Sequence, residues 1–377
     1  MNNIDLLIFC FVTSFYLLLI IFLAIGVKKL KVFIGFKTHQ QNSFSIIIPF
    51  RNEAQNLNAL LESLRKIQYS QEQFEIIFVN DSSTDNSVNI VEDFIIQNSA
   101  FQIKILHNNL KALSPKKEAL EKSIKIAKYE WIVTTDADCV VPNLWLKTLN
   151  EFIELSNCDM IVAPVVFTTN HTFLQDFQQL DFLSLMGATQ GGFAVGYPFL
   201  CNGANLCYRK SVFNDVDGFE GNKKMASGDD IFLMEKFLTR NKNSIKYLKS
   251  YNAIVKSQPQ KSIKEFINQR IRWASKTTAY KNNSGKIVGV IVLSMNFLLF
   301  ISFIFLYLKW ISLVEILLFW ILKIVVDYFL LLMISQFYQT KIAIKKYLIF
   351  SLIYPFYTVI IGLLSFSKKY EWKGRKY

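Results

Sequence analysis

Four short stretches of this chain carry side chains able to do chemistry together. T-T-D-A-D-C (134–139) sets Asp136 and Asp138 two residues apart. In an extended segment such residues share one side, roughly 6–7 Å apart. Two carboxylates so placed can hold one hard divalent ion and leave positions for phosphate oxygens. The plainer reading of the tripeptide is a turn cap. F-V-N-D-S-S-T-D-N-S (78–87) offers acids and hydroxyls suited to a base and ribose. Asp81 is expected to contact that ligand and Asp85 to cap the helix that follows. S-G-D-D-I-F (227–232) puts Asp229 and Asp230 where a helix starts. The helix dipole favours the anion there, while the neighbouring carboxylate works against it. A base that accepts a hydroxyl proton must be an anion within hydrogen-bond reach, and Asp230 is the candidate. The alternative is that both acids only cap the helix. In K-E-F-I-N-Q-R-I-R-W-A-S-K (264–276), Gln269, Arg272 and Trp273 fall on one helical face. A guanidinium can clamp a diphosphate and an indole can cover an apolar ring. Taken alone, the same stretch reads as an interfacial helix with a snorkelling Arg and an anchoring Trp.

Those residues need a scaffold, and the flanking pattern supplies one. A strand is expected from residue 44 to 49, followed by a helix in which Leu57, Leu60, Leu61, Leu64 and Ile67 recur at three and four. The next strand, over 74–80, comes some thirty residues later, the usual size of a βαβ unit. Further strands are expected over 102–106, 131–135 and 160–166, with helices over 86–97, 115–128 and 144–155 between them; Pro115 suits a first helical turn. Strands alternating with helices predict an α/β fold with a doubly wound, mostly parallel sheet. Such sheets bind ligands beyond the carboxyl ends of their strands. Glu53 lies past the first strand, Asp81 and Asp85 past the second, Asp136 and Asp138 past the fourth. Lys117, in S-P-K-K-E-A-L, either faces that edge near a diphosphate or is a solvated helix lysine. Neither G-x-G-x-x-G nor G-x-x-x-x-G-K-[ST] occurs, so the Rossmann and P-loop nucleotide readers are absent.

Outside this middle region the chain changes character. It has 377 residues, 52% hydrophobic and only 19% charged, with 34 Phe and a formal charge of +13. That balance excludes a disordered protein. The basic excess sits beside apolar runs, which points to a membrane rather than nucleic acid. Five Cys and three His show no zinc spacing, and a reducing, cytosolic face is the simple reading. Residues 4–26 form an apolar run, charged only at Asp5, long enough to span and followed by Lys28, Lys29 and Lys31, which read as a signal anchor with that end cytoplasmic. Three more apolar stretches follow, over 288–308, 311–334 and 347–366. The second holds Glu315, Lys323 and Asp327, each costing about 2.5–3.5 kcal/mol at a helix centre in lipid; Lys323 and Asp327 are spaced to pair. The expected division is an anchor (1–27), a cytoplasmic catalytic domain (44–283), membrane or interfacial helices (288–366) and a basic tail (367–377). Three late crossings would put that tail outside, although its five basic residues prefer the cytoplasm. One stretch, 311–334 or 347–366, is therefore expected to be re-entrant or interfacial; the sequence leaves both open.

Taken in order, I-I-P-F-R-N-E (47–53), V-N-D-S-S-T-D (79–85), T-D-A-D (135–138), C-N-G-A-N-L-C-Y-R (201–209), G-D-D (228–230) and Q-R-I-R-W (269–273) resemble the family-2 glycosyltransferases with a GT-A catalytic domain. The resemblance implies inverting transfer of a sugar from a nucleotide-diphosphate sugar, aided by Mg or Mn. It implies Asp136 and Asp138 at the metal and phosphates, Asp81 at the nucleotide and Arg272 at the leaving group, and Glu53 and Lys117 join the donor side from their place at the sheet edge. It further implies Asp230 as base, and Asp229, Gln269 and Trp273 on the acceptor side. The W-K-G-R-K-Y tail is similar to tails of membrane-bound members. Asn80 and Ser82 depart from the Asp and Gly common at those positions, and Asp229–Asp230 replaces Glu–Asp. Few apolar stretches favour a single transfer to a lipid-linked or membrane-held acceptor over polymer synthesis. A sugar-nucleotide pyrophosphorylase, which would need a Gly-rich loop after the first strand, and a non-catalytic membrane scaffold are the rivals.

Overall fold

The computed structural model describes residues 3–36, 38, 41–108, 114–222, 225, 227–367 and 370–376. The chain divides into two units, each assembled from separated pieces of sequence. Residues 31–168 and 201–258 make a sheet unit; 1–30, 169–200 and 259–377 make a helical unit. The contiguous 44–283 domain expected above is thus interrupted, because 169–200 and 259–283 fold with the apolar helices. Helix α1 (Asn3–Lys29) precedes the sheet unit and α6 (Phe173–Ala194) interrupts it.

In order, the sheet unit runs β1 (Phe44–Phe50), α2 (Leu57–Arg65), β2 (Phe74–Asn80), α3 (Ser87–Gln97), β3 (Gln102–His107), α4 (Pro115–Ile126), β4 (Trp131–Thr134), α5 (Trp145–Ser156), β5 (Met160–Val162) and β6 (Val165–Phe167). After α6 come β7 (Leu206–Arg209), α7 (Lys210–Asp215), α8 (Asp229–Arg240), β8 (Ile245–Tyr247) and β9 (Val255–Ser257). The sheet order is β3-β2-β1-β4-β7-β5-β8. All pairs are parallel except those of β7, which runs against β4 and β5. β1 and β2 are buried along almost their whole length and mostly apolar, because both faces of a parallel sheet are covered by helices. Leu57, Leu60, Leu61 and Leu64 form the buried stripe of α2, as their spacing predicts.

Two polar residues interrupt the β1–β2 core. Ser45 and Glu75 are fully buried neighbours in register. Glu75 accepts hydrogen bonds from Ser45 Oγ (2.7 Å), Lys104 Nζ (2.8 Å) and the Lys128 amide. Burial alone would raise its carboxyl, but these donors outweigh burial and leave it below the ordinary carboxylate value. The strand expected over 160–166 is split. Pro164 cannot donate to a ladder, and its carbonyl instead accepts from Val255 N (3.0 Å) while β6 leaves to pair with β9.

The helical unit continues with α9 (Ile263–Ala274), α10 (Asn283–Tyr307), α11 (Leu313–Tyr338) and α12 (Ile344–Phe366), then a hairpin of β10 (Glu371–Trp372) and β11 (Arg375–Lys376). α1, α10, α11 and α12 are each long and apolar enough to cross a membrane. Helices α1 and α6 touch through glycines: a Cβ on Gly191 would lie 2.6 Å from Leu23 O, and one on Gly26 2.6 Å from Gly191 O. With Gly187 packed on Leu330 and Ile334 of α11, α6 carries a G-x-x-x-G face that lets backbones approach closely. Lys323 and Asp327 pair at 2.6 Å, and Tyr16 OH donates to Asp327 at 2.7 Å. Glu315 forms a capping box with Ser312 at the start of α11. The tail motif has a backbone cause: Lys373 and Gly374 both take positive φ (+49° and +74°), as a two-residue hairpin turn of this hand requires.

Candidate active site

The carboxyl ends of β1 and β2 continue into two loops joined side by side. Their strand register pairs Phe50 with Asn80, and side chains extend it beyond the sheet. Arg51 donates to the Asp81 and Ser82 carbonyls (2.6 and 2.7 Å), and Asn52 N to Ser83 Oγ (3.1 Å). Asn52 Oδ1 accepts from Thr84 N at 2.8 Å, and Ala54 N donates to Asp85 at 3.0 Å. Much of the V-N-D-S-S-T-D motif is therefore loop architecture. Asp85 accepts from Ser87 N and Oγ at the start of α3, the capping expected of it. Burial would raise its carboxyl, but these donors outweigh burial and hold it low. Asn80 accepts from Ser83 N (2.8 Å) while its amide faces His107 Nδ1 (3.2 Å), which a carboxylate could not do as a donor. Ser82 stands in the left-handed region (φ +55°), a position that favours glycine. Asp81 is buried, its amide donating to Phe50 O. Glu53 opens the turn into α2, bonded to Asn56 Nδ2 at 2.6 Å.

The Asp136–Asp138 pair is held differently from the expectation. β4 stops at Thr134, opposite Ile47. Residues 136–139 then form a turn closed by Cys139 N on Asp136 O (3.1 Å), so a turn rather than strand alternation aims the two carboxylates. Burial, then Asp138 and Asp136, push the Cys139 thiol up and keep it protonated. Across the sheet, Thr134 Oγ1 donates to Gly203 O (2.7 Å), and Gly203 N donates to Asp230 Oδ2 (3.2 Å). Gly228 enters α8 at φ +81°, and Asp229 and Asp230 occupy the first turn. Within C-N-G-A-N, Asn202 accepts from Ala204 N. Asn205 is fully used inside, donating to the Pro164 and Ala253 carbonyls and accepting from Trp145 Nε1.

One residue absent from the expected set sits at the centre. Lys116 Nζ reaches Asp136 Oδ1 at 3.0 Å and Asp229 Oδ2 at 3.4 Å. Burial alone would lower this ammonium, but Asp136, Asp229 and then Asp230 outweigh it and hold it above its ordinary value. The expected Lys117 points elsewhere: it is buried, donates to the Asn222 and Met225 carbonyls (2.8 and 2.9 Å), and lies over the Phe232 ring. The two lysines are adjacent in the first turn of α4 and so project about 100° apart, which sequence spacing alone did not assign. Asp136, Asp229, Asp230 and Lys116 are thus brought together at one edge of the sheet. Glu53 and Asp81 follow the neighbouring strands.

Two family models match the chain: "Glycosyl transferase family 2" over residues 45–216, and "Glycosyl transferase family group 2" over 131–363, more than half of its length. The chain belongs to glycosyl transferase family group 2. Among curated proteins it is 30% identical to "Glycosyltransferase GlyG" of Streptococcus pneumoniae over 119 residues, 32% of this chain and 38% of that one. It is 26% identical to the "Poly-beta-1,6-N-acetyl-D-glucosamine synthase" of Staphylococcus epidermidis over 181 residues, 47% and 42% of the two. The chain spans less than half the length of these curated relatives. The fold is shared with a solved mannosyltransferase of Pyrobaculum calidifontis (TM-score 0.60, 12% identity, 95% of this chain and 99% of that one).

In this family member, the remaining expected residues lie in the helical unit. α9 opens with a capping box between Ser262 and Glu265. Gln269, Arg272 and Trp273 share a half-buried face of it. Arg270, between them, donates to Gln269 Oε1 and stacks 4.2 Å from the Trp273 ring centre. Among the described residues, no three His, Cys, Asp or Glu side chains form a closed metal cage. Residues fit a cation even so. An ammonium already bridges two carboxylates, and a hard ion held by one or two carboxylates takes its other ligands from water and substrate phosphates.

Proposed function

We propose that the protein moves a sugar from a nucleotide-diphosphate sugar to a hydroxyl of a lipid-linked or otherwise membrane-held acceptor, at the cytoplasmic face of a membrane it crosses several times. The observation that carries this reading is the convergence of Asp136, Asp229 and Asp230 on Lys116 beyond the carboxyl ends of a parallel sheet. Asp230 takes the acceptor's proton as the hydroxyl oxygen attacks. Its Oδ2 is oriented by the Gly203 amide, and its anion is favoured by the α8 N-terminus. Asp136 and Asp138 would hold Mg or Mn, which supplies positive charge against the departing diphosphate. Lys116 takes the place given to Lys117 above, as the lysine nearest the phosphates. Glu53 and Asp81 are the donor-side residues of the first two strand ends. Gln269 and Trp273 serve the acceptor, and Arg272 the leaving group.

The solved mannosyltransferase was captured with GDP-Man and Mn2+, which supports a donor of this class and a divalent ion. The poly-N-acetylglucosamine synthase relative favours a second reading, processive polymer synthesis. The test is full-length protein in detergent with Mg or Mn, membrane extract and a panel of nucleotide sugars. Release of nucleoside diphosphate is expected, with one sugar added per lipid; a long carbohydrate product selects the second reading. Asp230→Asn should cut turnover by about 10²–10⁴-fold with donor binding kept. Nucleoside triphosphate formed from pyrophosphate, or full turnover by Asp230→Asn, overturns the assignment.

A further inference from the structure

Within the helical unit, the helix that carries Gln269, Arg272 and Trp273 is held at several points by one face of α6. Just before α9 begins, the fully buried Gln178 grips the backbone of Gln260 twice: its Nε2 donates to Gln260 O (2.9 Å) and its Oε1 accepts from Gln260 N (2.8 Å). Phe177 meets Phe266 edge to face (5.9 Å between ring centres), and Phe182 meets Trp273 at 6.3 Å. Between those ring contacts Asp181 Oδ2 accepts from Arg270 Nε at 2.6 Å, each side chain only 5% exposed. Tyr354 OH donates to the other carboxylate oxygen at 3.0 Å. Residues 177, 178, 181 and 182 share one side of α6 by their helical spacing.

Arg270 passes this constraint on to its neighbours in α9. A guanidinium is a planar fork of donors with no acceptor. While Nε is engaged by Asp181, Nη1 donates to Gln269 Oε1, and the flat group lies 4.2 Å from the Trp273 ring centre and 4.7 Å from that of Phe266. Because the guanidinium can only donate, the Gln269 atom turned toward it must be the carbonyl oxygen, which settles the orientation of the amide. The Gln269 NH2 is therefore turned from Arg270, on the half-buried face that holds Arg272 and Trp273. Its nitrogen makes no hydrogen bond among the described residues.

We propose that Asp181 is a positioning residue for the acceptor: through Arg270 it holds the Gln269 amide with its NH2 presented to an oxygen of the acceptor, and keeps the Trp273 ring beside it. The inference rests on Gln269 and Trp273 serving the acceptor, as proposed above; it adds the residues that orient them and the direction of the hydrogen bond they offer. That direction selects an acceptor with an oxygen at this point, in a hydroxyl or a phosphate. Asp181 acts only through the guanidinium. A lysine in place of Arg270 would be a point charge that satisfies Asp181 without a plane to orient the amide or cover the indole.

The test uses full-length protein in detergent, a nucleotide sugar that supports wild-type turnover, and total membrane lipid extract as the acceptor, each titrated separately. Gln269→Leu keeps most of the side chain's bulk, and Arg270→Lys keeps the charge beside Asp181. Each should raise the extract concentration at half-maximal transfer by about tenfold and leave donor saturation unchanged. The double variant should be little worse than either, since both act through one amide. Gln269→Glu separates the two kinds of oxygen: a hydroxyl can turn and donate to the carboxylate, restoring saturation, whereas a phosphate is repelled and saturation worsens. Asp181→Asn should speed backbone hydrogen exchange in α9 by about tenfold or more without speeding it in α10, read by mass spectrometry with no acceptor present. A wild type that transfers no sugar would sink the glycosyl-transfer reading, and the exchange would still decide whether Asp181 holds α9. Arg270→Lys strands no charge, so the kinetic arm survives if Asp181→Asn fails to fold. Unchanged extract saturation in Gln269→Leu, donor and extract saturation shifted alike in Arg270→Lys, or unaltered α9 exchange in Asp181→Asn overturns the proposal.

Discussion

Replacing Lys116 with Met removes the charge on which the acidic edge converges while keeping most of the side chain's volume. At about 3–3.5 Å, two unit charges attract by about 1 kcal/mol in water and about 5 at an effective dielectric of 20. Lys116 is 22% exposed and Asp229 12%, but Asp136 is 39% exposed, so its share is discounted and most of the effect rests with Asp229. A net loss of about 1–3 kcal/mol follows, between the values for exposed and buried pairs. For a unit of this size that is a melting shift of about 2–4 °C per kcal/mol. Because Lys116 is held above its ordinary value, its contribution is complete at neutral pH and fades only in strong alkali. In the variant the acids face one another unneutralised. The deficit is therefore largest where these carboxylates are ionised and shrinks where they are protonated. Thermal unfolding of the full chain in detergent should show a larger deficit at about pH 7.5 than at about pH 5. Millimolar Mn2+ should restore more of it in the variant than it adds to the wild type. A variant melting with the wild type at both pH values, or a deficit that grows toward acid, refutes Lys116 as the counter-ion of this edge.

Glu75→Gln should cost about 1–3 kcal/mol at neutral pH, since its remaining oxygen can still accept from Ser45 and the Lys128 amide while an NH2 group replaces the charged oxygen that faces Lys104. Glu75 titrates below its ordinary value, so its stabilisation is present above about pH 4 and lost as pH falls through the folded value. The gap between wild type and variant should therefore close toward acid in thermal unfolding; a constant gap would count against the network. Gly191→Ala should reduce the monodisperse fraction on gel filtration, because its Cβ meets Leu23 O at 2.6 Å. Gly289→Ala, whose Cβ would find only Thr277 Cγ2 at 3.7 Å, should not.

How far the sequence could be read follows from what each signal depends on. The first four strands and their order of appearance were legible because β1 and β2 are mostly apolar runs and α2 repeats at three and four, whereas the short β7, β8 and β9 were not expected. The place of Asp136 at the sheet edge followed from the rule that loops at strand ends bear ligands, whereas Asp229 and Asp230 were read only as a helix start, and their meeting with Asp136 depends on how α8 docks. The choice between Lys116 and Lys117 did not follow either, since adjacent helical residues differ by an angle that only the docking of α4 converts into a direction. Strand β6 was hidden for a similar reason: Pro164 marks a break, but which strand β6 then joins depends on residues 255–257. The helical unit was the least legible. α6 is moderately polar in its first half and resembles any soluble helix, so nothing local announces that Gly187 and Gly191 dock it among apolar helices. Arg270 was hidden too, its partner Asp181 lying 89 residues away.

The two principal ion clusters differ in a way that suits opposite duties. Asp181 and Arg270 are each 5% exposed, in direct contact at 2.6 Å, with Tyr354 on the second carboxylate oxygen and the Phe266 and Trp273 rings against the guanidinium. Removing either partner would strand a buried charge, at about 3–5 kcal/mol, so α9 is held in one position. The Lys116 cluster is partly wet, and its ammonium is shared between two carboxylates rather than locked to one. Exchange of that ammonium for another cation costs little, because water already screens part of the attraction. Cation and donor binding should accordingly rearrange Lys116, Asp136 and Asp229 while leaving Arg270 and Asp181 in place. The row of Gln269, Arg272 and Trp273 then depends on a rigid pair, and the acidic edge on an exchangeable one.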